Sequence, residues 1–301
     1  MKILRPLLYF SIFNHPLKKE EIFLYSLHEK MEDVEKELKD ALEKKIITQT
    51  DVFFHPNLTE ENVTNRIVGN KNAIKALVKA KKKGNFIKKY FPFVEGVSIS
   101  GSLSKGYFDA NSDVDFFIIS KPNHLWTCRT FLVIFKKIFL FNSRKYFCLN
   151  YFISSDNLEI EEKNIFTATE IATLIPIQGD VFNRFFENNN WNRNLLPNKT
   201  NKSLEKETVE TSWIARLLET ILQKRFGVLV EKFCFTLTFN VWKIKFRNKM
   251  KPEDFAIAFK SSKKVSKHHP SNFQKKVIDL LNTKYLEIKE KHNIDIPKEH
   301  V

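Results

Sequence analysis

Residues 97–120 read VSISGSLSKGYFDANSDVDFFIIS. Val97–Ser100 and Val114–Ser120 are rich in β-branched and apolar residues, the composition of strands. Between them stand Gly101-Ser102, ten further residues, and then Asp113-Val114-Asp115. Side chains two apart on a strand share a face. Asp113 and Asp115 therefore point the same way, and Val114 is buried on the other side. Two neighbouring carboxylates are costly unless a cation sits between them. Mg²⁺ suits that place, because it takes carboxylate oxygens together with substrate phosphates. Gly101 lets the backbone approach a phosphate with no Cβ in the way. Ser102 offers an amide and a hydroxyl where a short helix begins.

Working outward, Phe93–Ser100 is a first strand, Gly101–Ser112 a loop with a short helix, and Val114–Ser120 a second strand. Leu125–Phe141 is an apolar helix and Tyr146–Ser154 a third strand. Upstream, Leu4–Phe13, Leu17–His28 and Met31–Lys44 carry helical apolar spacings, and Lys45–Thr50 and Asp51–Pro56 read as two short strands. Three helices and a hairpin are the order of a winged helix, so residues 1–60 are expected to form a winged-helix-like domain. The third helix carries Glu32, Asp33, Glu35, Glu37, Asp40 and Glu43, a face that repels phosphate. A packing or partner-binding module is therefore expected over a DNA reader.

Residues 61–92 read as a basic connector helix. Residues 62–94 hold no Asp or Glu but contain Arg66, Lys71, Lys75, Lys79, Lys81, Lys82, Lys83, Lys88 and Lys89. Ile74, Leu77 and Val78 form its apolar stripe, and Gly84 is expected to stop or kink it. The cations are expected to be solvated; an RNA- or nucleotide-facing ridge near the cleft is the sharper alternative. Downstream, helices are expected over Ile165–Leu174 and Asp180–Glu187, then one or two over Leu204–Phe246 and a last one over Phe273–Lys291. Trp126, Trp191, Trp213 and Trp242 read as core aromatics, as does the Phe-rich run after Lys232. His268-His269 reads as a solvated basic loop, with a metal or phosphate site as the alternative, and Glu170 as a surface residue, with a place facing the cleft as the alternative.

The chain has 301 residues, 43% of them hydrophobic and 28% charged, which excludes collagen-like and wholly disordered classes. Cys128, Cys148 and Cys234 give neither a disulfide framework nor a zinc motif, and a reducing, cytoplasmic setting is expected. The apolar run Phe131–Phe141 is too short to span a bilayer and carries Lys136 and Lys137, so no membrane partner is expected. The net charge of +15 favours anionic partners. Lys greatly outnumbers Arg, and Phe, Ile and Asn are abundant, as in proteins of AT-rich genomes, which weakens that argument.

The Gly101-Ser102 and Asp113-Val114-Asp115-Phe116 pair of motifs resembles the signature of the polymerase-β-like nucleotidyltransferase superfamily. The order of the longer chain, with Phe166–Pro176 and the Lys260–Phe273 segment, is similar to a group of bacterial nucleotidyltransferase-domain proteins. The resemblance implies an α+β fold: a nucleotidyltransferase mixed sheet with flanking helices over 93–200, the winged-helix-like domain before it, and a helical C-terminal region over 201–301. It implies two-metal transfer of a nucleoside monophosphate from an NTP, with ATP the expected donor. Mg²⁺ (or Mn²⁺) would be held by Asp113 and Asp115, and the triphosphate by Gly101 and Ser102. The acceptor is open, with RNA or another anionic acceptor favoured by the connector. Most active members carry a third carboxylate on the next strand, where this chain has Asn150. Asn150 is the expected third metal ligand, and Asp156 and Glu159 are substitutes only by altered geometry. A catalytically degenerate nucleotide- or nucleic-acid-binding regulator is the alternative.

Overall fold

The computed structural model describes residues 1–57, 59–143, 145–202, 204, 209–246, 259, 261–267 and 272–300. At its centre is a five-stranded mixed sheet in the order β7-β4-β5-β6-β8. Its strands are β4 (Val94–Ser100), β5 (Asp115–Ser120), β6 (Cys148–Ser154), β7 (Ile175–Gln178) and β8 (Val265–Lys267). Strand β4 pairs antiparallel with both β5 and β7, β5 pairs parallel with β6, and β6 pairs antiparallel with β8. The parallel β5–β6 step requires a crossover, which α6 (Leu125–Phe139) supplies.

Two strands of this sheet escaped the sequence reading, as did β1 (Leu17–Lys18), which opens the stretch Leu17–His28 expected to be helical. The four residues of β7 lie between helical patterns, and β8 lies in the region expected to be helical. Both are too short for a period-two pattern to show, and pairing with β4 and β6 selects them.

The chain before the sheet forms α1 (Leu4–Ser11), β1 (Leu17–Lys18), α2 (Lys19–Tyr25), α3 (Met31–Glu43), β2 (Thr48–Thr50) and β3 (Phe53–His55). The strands make a small antiparallel sheet in the order β1-β3-β2. Leu4, Leu7 and Leu8 of α1 and Val34 and Leu38 of α3 are buried, as their spacing predicts. They share one core with Ile165, Ala168 and Ala172 of α7 (Ile165–Thr173) and with Val277, Leu281 and Tyr285 of the last helix, α12 (Phe273–His292).

Helix α4 (Glu60–Tyr90) runs 31 residues without a break, and of the expected stripe only Leu77 packs, half-buried, against the sheet core. Ile74 is 68% exposed and Val78 56%. The buried stripe is instead Gly69, Ala73, Ala76, Ala80, Gly84 and Ile87, at spacings of three and four. Small residues let the helix lie close to the sheet. A Cβ at Gly84 would come 2.5 Å from Cδ1 of Ile177 in β7, so Gly84 sets a close approach and does not stop the helix. Nor is Arg66 solvated. It is buried, contacts the His15 ring, donates to the Pro16 carbonyl at 3.1 Å and to Glu21 at 2.6 Å, and so ties α4 to the N-terminal module.

One face of the sheet packs against α4, α6 and α11 (Arg225–Phe246) through Val97, Ile99, Phe116, Ile118 and Phe152. The other, with Phe117, Ile119 and Ile153, meets Phe182 and Phe185 of α8 (Val181–Asn188). Trp126 and Trp242 are core residues as expected, but Trp213, on α10 (Trp213–Leu222), is 73% exposed, and Phe233 of the Phe-rich run is 66% exposed. Both lie on outer faces of their helices, where hydrophobic type alone does not decide burial. The three cysteines are free and buried. Among the described residues no helix is long and apolar enough to cross a membrane. His268 and His269 lie outside the described residues.

Candidate active site

The site forms where β4 ends and β5 and β6 begin. Strand β4 runs to Ser100, which faces Asp115 across the β4–β5 ladder. At Gly101 the chain turns with φ +69° into α5 (Gly101–Ser104). That dihedral disfavours any residue with a Cβ. A Cβ there would also overlap Oδ2 of Asp115. The glycine is thus fixed twice, by its backbone and by the carboxylate lying against it.

The loop that follows is held by Asp109. Its carboxylate accepts from the Asn111 amide at 2.9 Å, the Ser112 hydroxyl at 2.8 Å and the Tyr107 hydroxyl at 3.0 Å. Burial pushes this carboxyl up, but the hydrogen bonds outweigh it and hold it below its usual range. The loop is anchored to α4 as well, where the Phe108 amide donates to the Gly69 carbonyl at 3.1 Å. It delivers Asp113 and Asp115 to the mouth of the sheet, while Val114 between them is buried in the core.

Asp115, Cys148 and Asn150 form one cluster. The register steps from Phe116↔Leu149 to Phe117↔Tyr151, which leaves Asn150 as the extra residue of a bulge in β6. From there its Nδ2 donates to Oδ1 of Asp115 at 2.7 Å, and the Cys148 thiol donates to its Oδ1 at 3.2 Å. Burial, with Asp113 and Glu170 nearby, raises the Asp115 carboxyl to about 7, against the opposing effects of Cys148 and Lys105. Burial and the neighbouring Asp115 push the Cys148 thiol up to about 12, so it stays protonated and donating.

Gly101, Ser102, Asp113, Asp115 and Asn150 all line one cavity of about 940 Å³. Glu170 of α7, expected on the surface, lines it too, where Lys105 pairs with it at 2.7 Å and also donates to the Gly101 carbonyl at 3.2 Å. A Glu on a helix after the third strand was the available signal, and the length of the intervening chain hid its return to the cleft. Asp156 and Glu159 do not approach. They follow the far end of β6, where Asp156 pairs with Lys264 at 3.0 Å and Glu159 with Lys163 at 2.7 Å. No lysine of α4 lines the cavity; the buried face of that helix is its small-residue face, which leaves Lys71, Lys75, Lys79, Lys82 and Lys89 exposed.

The far wall is α6 and α11, with Arg129, Val133, Leu237, Val241 and Trp242. Arg129 was not singled out from the sequence, although it is the one charge in the apolar run Leu125–Phe135. The start of α6 is fixed by Glu231 of α11, which accepts from the Trp126 amide at 2.8 Å and the Thr127 amide at 2.7 Å.

Comparison with known families agrees with this geometry. The family described as "Nucleotidyltransferase domain" matches residues 80–280, more than half of the chain. The protein belongs to that family, within the polymerase-β-like superfamily. No curated protein and no solved structure matches the chain.

The donor set fits a divalent cation shared with a substrate. Two carboxylates at one cavity mouth match the way Mg²⁺ binds, through one or two acids plus phosphate oxygens and water. Among the described residues no group of three or more His, Cys, Asp or Glu side chains is arranged to hold a metal alone. Asn150 faces Asp115 with its amide nitrogen, so ligating a cation would require the amide to turn over.

Proposed function

We propose that this protein transfers a nucleoside monophosphate from a nucleoside triphosphate, ATP in the first instance, to an acceptor hydroxyl, phosphate or amine. The observation that carries the reading is the Gly101–Ser102 turn packed on Asp115, with Asp113 beside it, at the mouth of a cavity large enough for a nucleotide and a second molecule. Asp113 and Asp115 hold Mg²⁺ (or Mn²⁺). Held by these two carboxylates, such a cation would offset their mutual repulsion and supply charge stabilisation to the phosphate oxygens. The amides and hydroxyl of Gly101 and Ser102 cradle the phosphate tail, and Lys105 lies one turn further on. The acceptor's oxygen or nitrogen bonds to the α-phosphorus, and any proton it carries passes to water. The α–β bridging P–O bond breaks, and pyrophosphate leaves with the electron pair.

The N-terminal module fits a winged helix, since α1-β1-α2-α3-β2-β3 with strand order β1-β3-β2 is the connectivity such domains use. The acidic α3 points to a packing role for it. We keep 1–60, 61–92, 93–200 and 201–301 as divisions of the chain, of which α4 and, from the last, α11 and β8 pack into or pair with the central sheet.

A second reading has one observation in its favour. Asn150 takes the third acid's place and already satisfies Asp115 by a hydrogen bond, as a nucleotide-sensing regulator without turnover would tolerate. Incubation with ATP labelled at the α- or the γ-phosphate and a cell extract decides between them. The transferase moves α-label to an acceptor and γ-label to pyrophosphate, and both transfers vanish in Asp113→Ala. Nucleotide binding without transfer of either label selects the regulator.

A further inference from the structure

The cavity holds a second polar feature that the phosphate-binding turn does not use. Arg129 is 6% exposed. Its guanidinium lies 4.6 Å from the centre of the Trp242 ring and 5.9 Å from those of Trp126 and Phe152. Among the described residues no carboxylate pairs with it, and its Nε is buried without a hydrogen-bond partner. Burial lowers its pKa only to about 10, so it is charged at neutral pH. A buried, unpaired cation is costly, and the aromatic faces offset only part of that cost. The arrangement is costly unless something anionic enters.

The position of Arg129 separates it from the triphosphate cradle. Gly101 and α5 follow β4, on one side of β5 in the sheet. Arg129 packs over Phe152 of β6, on the other side. Asp113 and Asp115, leading into β5, lie between the two. Val133, Leu237, Val241 and Trp242 give the Arg129 end an apolar wall. The guanidinium fork matches planar carboxylates and phosphate oxygens alike.

We propose that Arg129 anchors the acceptor, a small molecule with an apolar or aromatic body and a terminal carboxylate or phosphate monoester, whose nucleophile is thereby turned toward Asp113 and Asp115. This rests on the transferase reading above. Lys136, Lys137 and Lys245 line the same cavity; the apolar and aromatic walls around Arg129 favour a small acceptor with an apolar body over a nucleic-acid strand.

Calorimetry on the full chain tests it with phenyl phosphate, 3-phenylpropionate and inorganic phosphate as probes, without nucleotide. Mg²⁺ with a non-hydrolysable α,β-methylene ATP is titrated separately. At least one aromatic oxyanion is expected to bind the wild type and to lose at least tenfold in Arg129→Gln. Arg129→Lys should retain part of that affinity, and nucleotide affinity should change less than threefold. The phosphate and carboxylate probes tell the two headgroups apart. The proposal is overturned if no probe binds the wild type, if Arg129→Gln binds the probes equally well, or if that variant loses tenfold in nucleotide affinity, which would place Arg129 on the triphosphate. Probe binding without any nucleotide binding leaves the anion site standing and removes the transferase reading. Should the variants fail to fold, phenylglyoxal labelling of the wild type followed by mass spectrometry gives the answer: protection of Arg129 by phenyl phosphate supports the proposal, and unchanged labelling overturns it.

Discussion

Asp115 concentrates the chemistry of this molecule at a single carboxyl. With its pKa raised to about 7, the folded protein binds a proton there that the unfolded chain releases near pH 4. Between those values the folded state holds more protons than the unfolded one, so the metal-free protein loses stability as pH rises through the window. Asp115→Asn removes the ionisation and keeps an acceptor for Asn150. It should stabilise the metal-free protein at pH 8 by about 1–3 kcal/mol, a gain that shrinks toward pH 4, while abolishing transfer. Urea unfolding at both pH values reads this, and an equal effect at the two would refute the assignment. Gly101→Ala is expected to cost at least about 1–2 kcal/mol through its positive φ, and to displace Asp115, so both stability and Mg²⁺-dependent nucleotide binding should fall. Asn150→Asp places an acid within hydrogen-bond reach of Asp115. It should raise transfer in the presence of Mg²⁺ and destabilise the metal-free protein; a slower enzyme would show that Asn150 is tuned for the reaction as it stands.

Elements were legible in the sequence where periodicity was long. The central β4–α5–β5–α6–β6 run follows from Val97–Ser154 with its strand and helix patterns, and the acid pair with its glycine turn was readable from spacing alone. The α4 surface was not. Ile74 and Val78 suggested its buried side, yet Gly69, Ala73, Ala76, Ala80 and Gly84 occupy it, because the Tyr107 ring at Gly69 and Ile177 of the sheet at Gly84 lie too close for a larger side chain. Small residues carry little hydrophobic signal, so the true stripe stays silent in a pattern search. For Glu170 the sequence left both the surface and the cleft open, and Arg129 gave no signal, since each reaches the cavity through tertiary packing that no local spacing encodes. The bulge that aims Asn150 at Asp115 is likewise a register event between strands. Gly84→Leu tests the close approach: it should destabilise by about 1–3 kcal/mol through overpacking against Ile177, measured by thermal unfolding. A glycine that merely ended the helix would accept the change at no cost or with a gain.

Across the whole molecule, the sheet edge, α6 and α11, the α7 carboxylate and three residues of the N-terminal module, Phe10, Phe13 and His15, all meet around one cavity. The +15 charge is not concentrated there, since the exposed lysines of α4 stand outside it. Charge reversal at Lys79 and Lys82 should therefore leave Mg²⁺–nucleotide affinity within about twofold, long-range effects between exposed charges being screened within roughly 10 Å in 0.1 M salt. A tenfold loss would mean that the α4 ridge reaches the nucleotide. The central claim is that Asp113 and Asp115 together bind a nucleoside triphosphate through Mg²⁺. Calorimetric titration of wild type and Asp113→Ala with the α,β-methylene ATP analogue, with and without Mg²⁺, tests it most directly. Binding is expected to depend on Mg²⁺ and to weaken more than tenfold in the variant, about 1.4 kcal/mol or more, with the fold intact. Equal affinity in the two proteins, or binding indifferent to Mg²⁺, would contradict it.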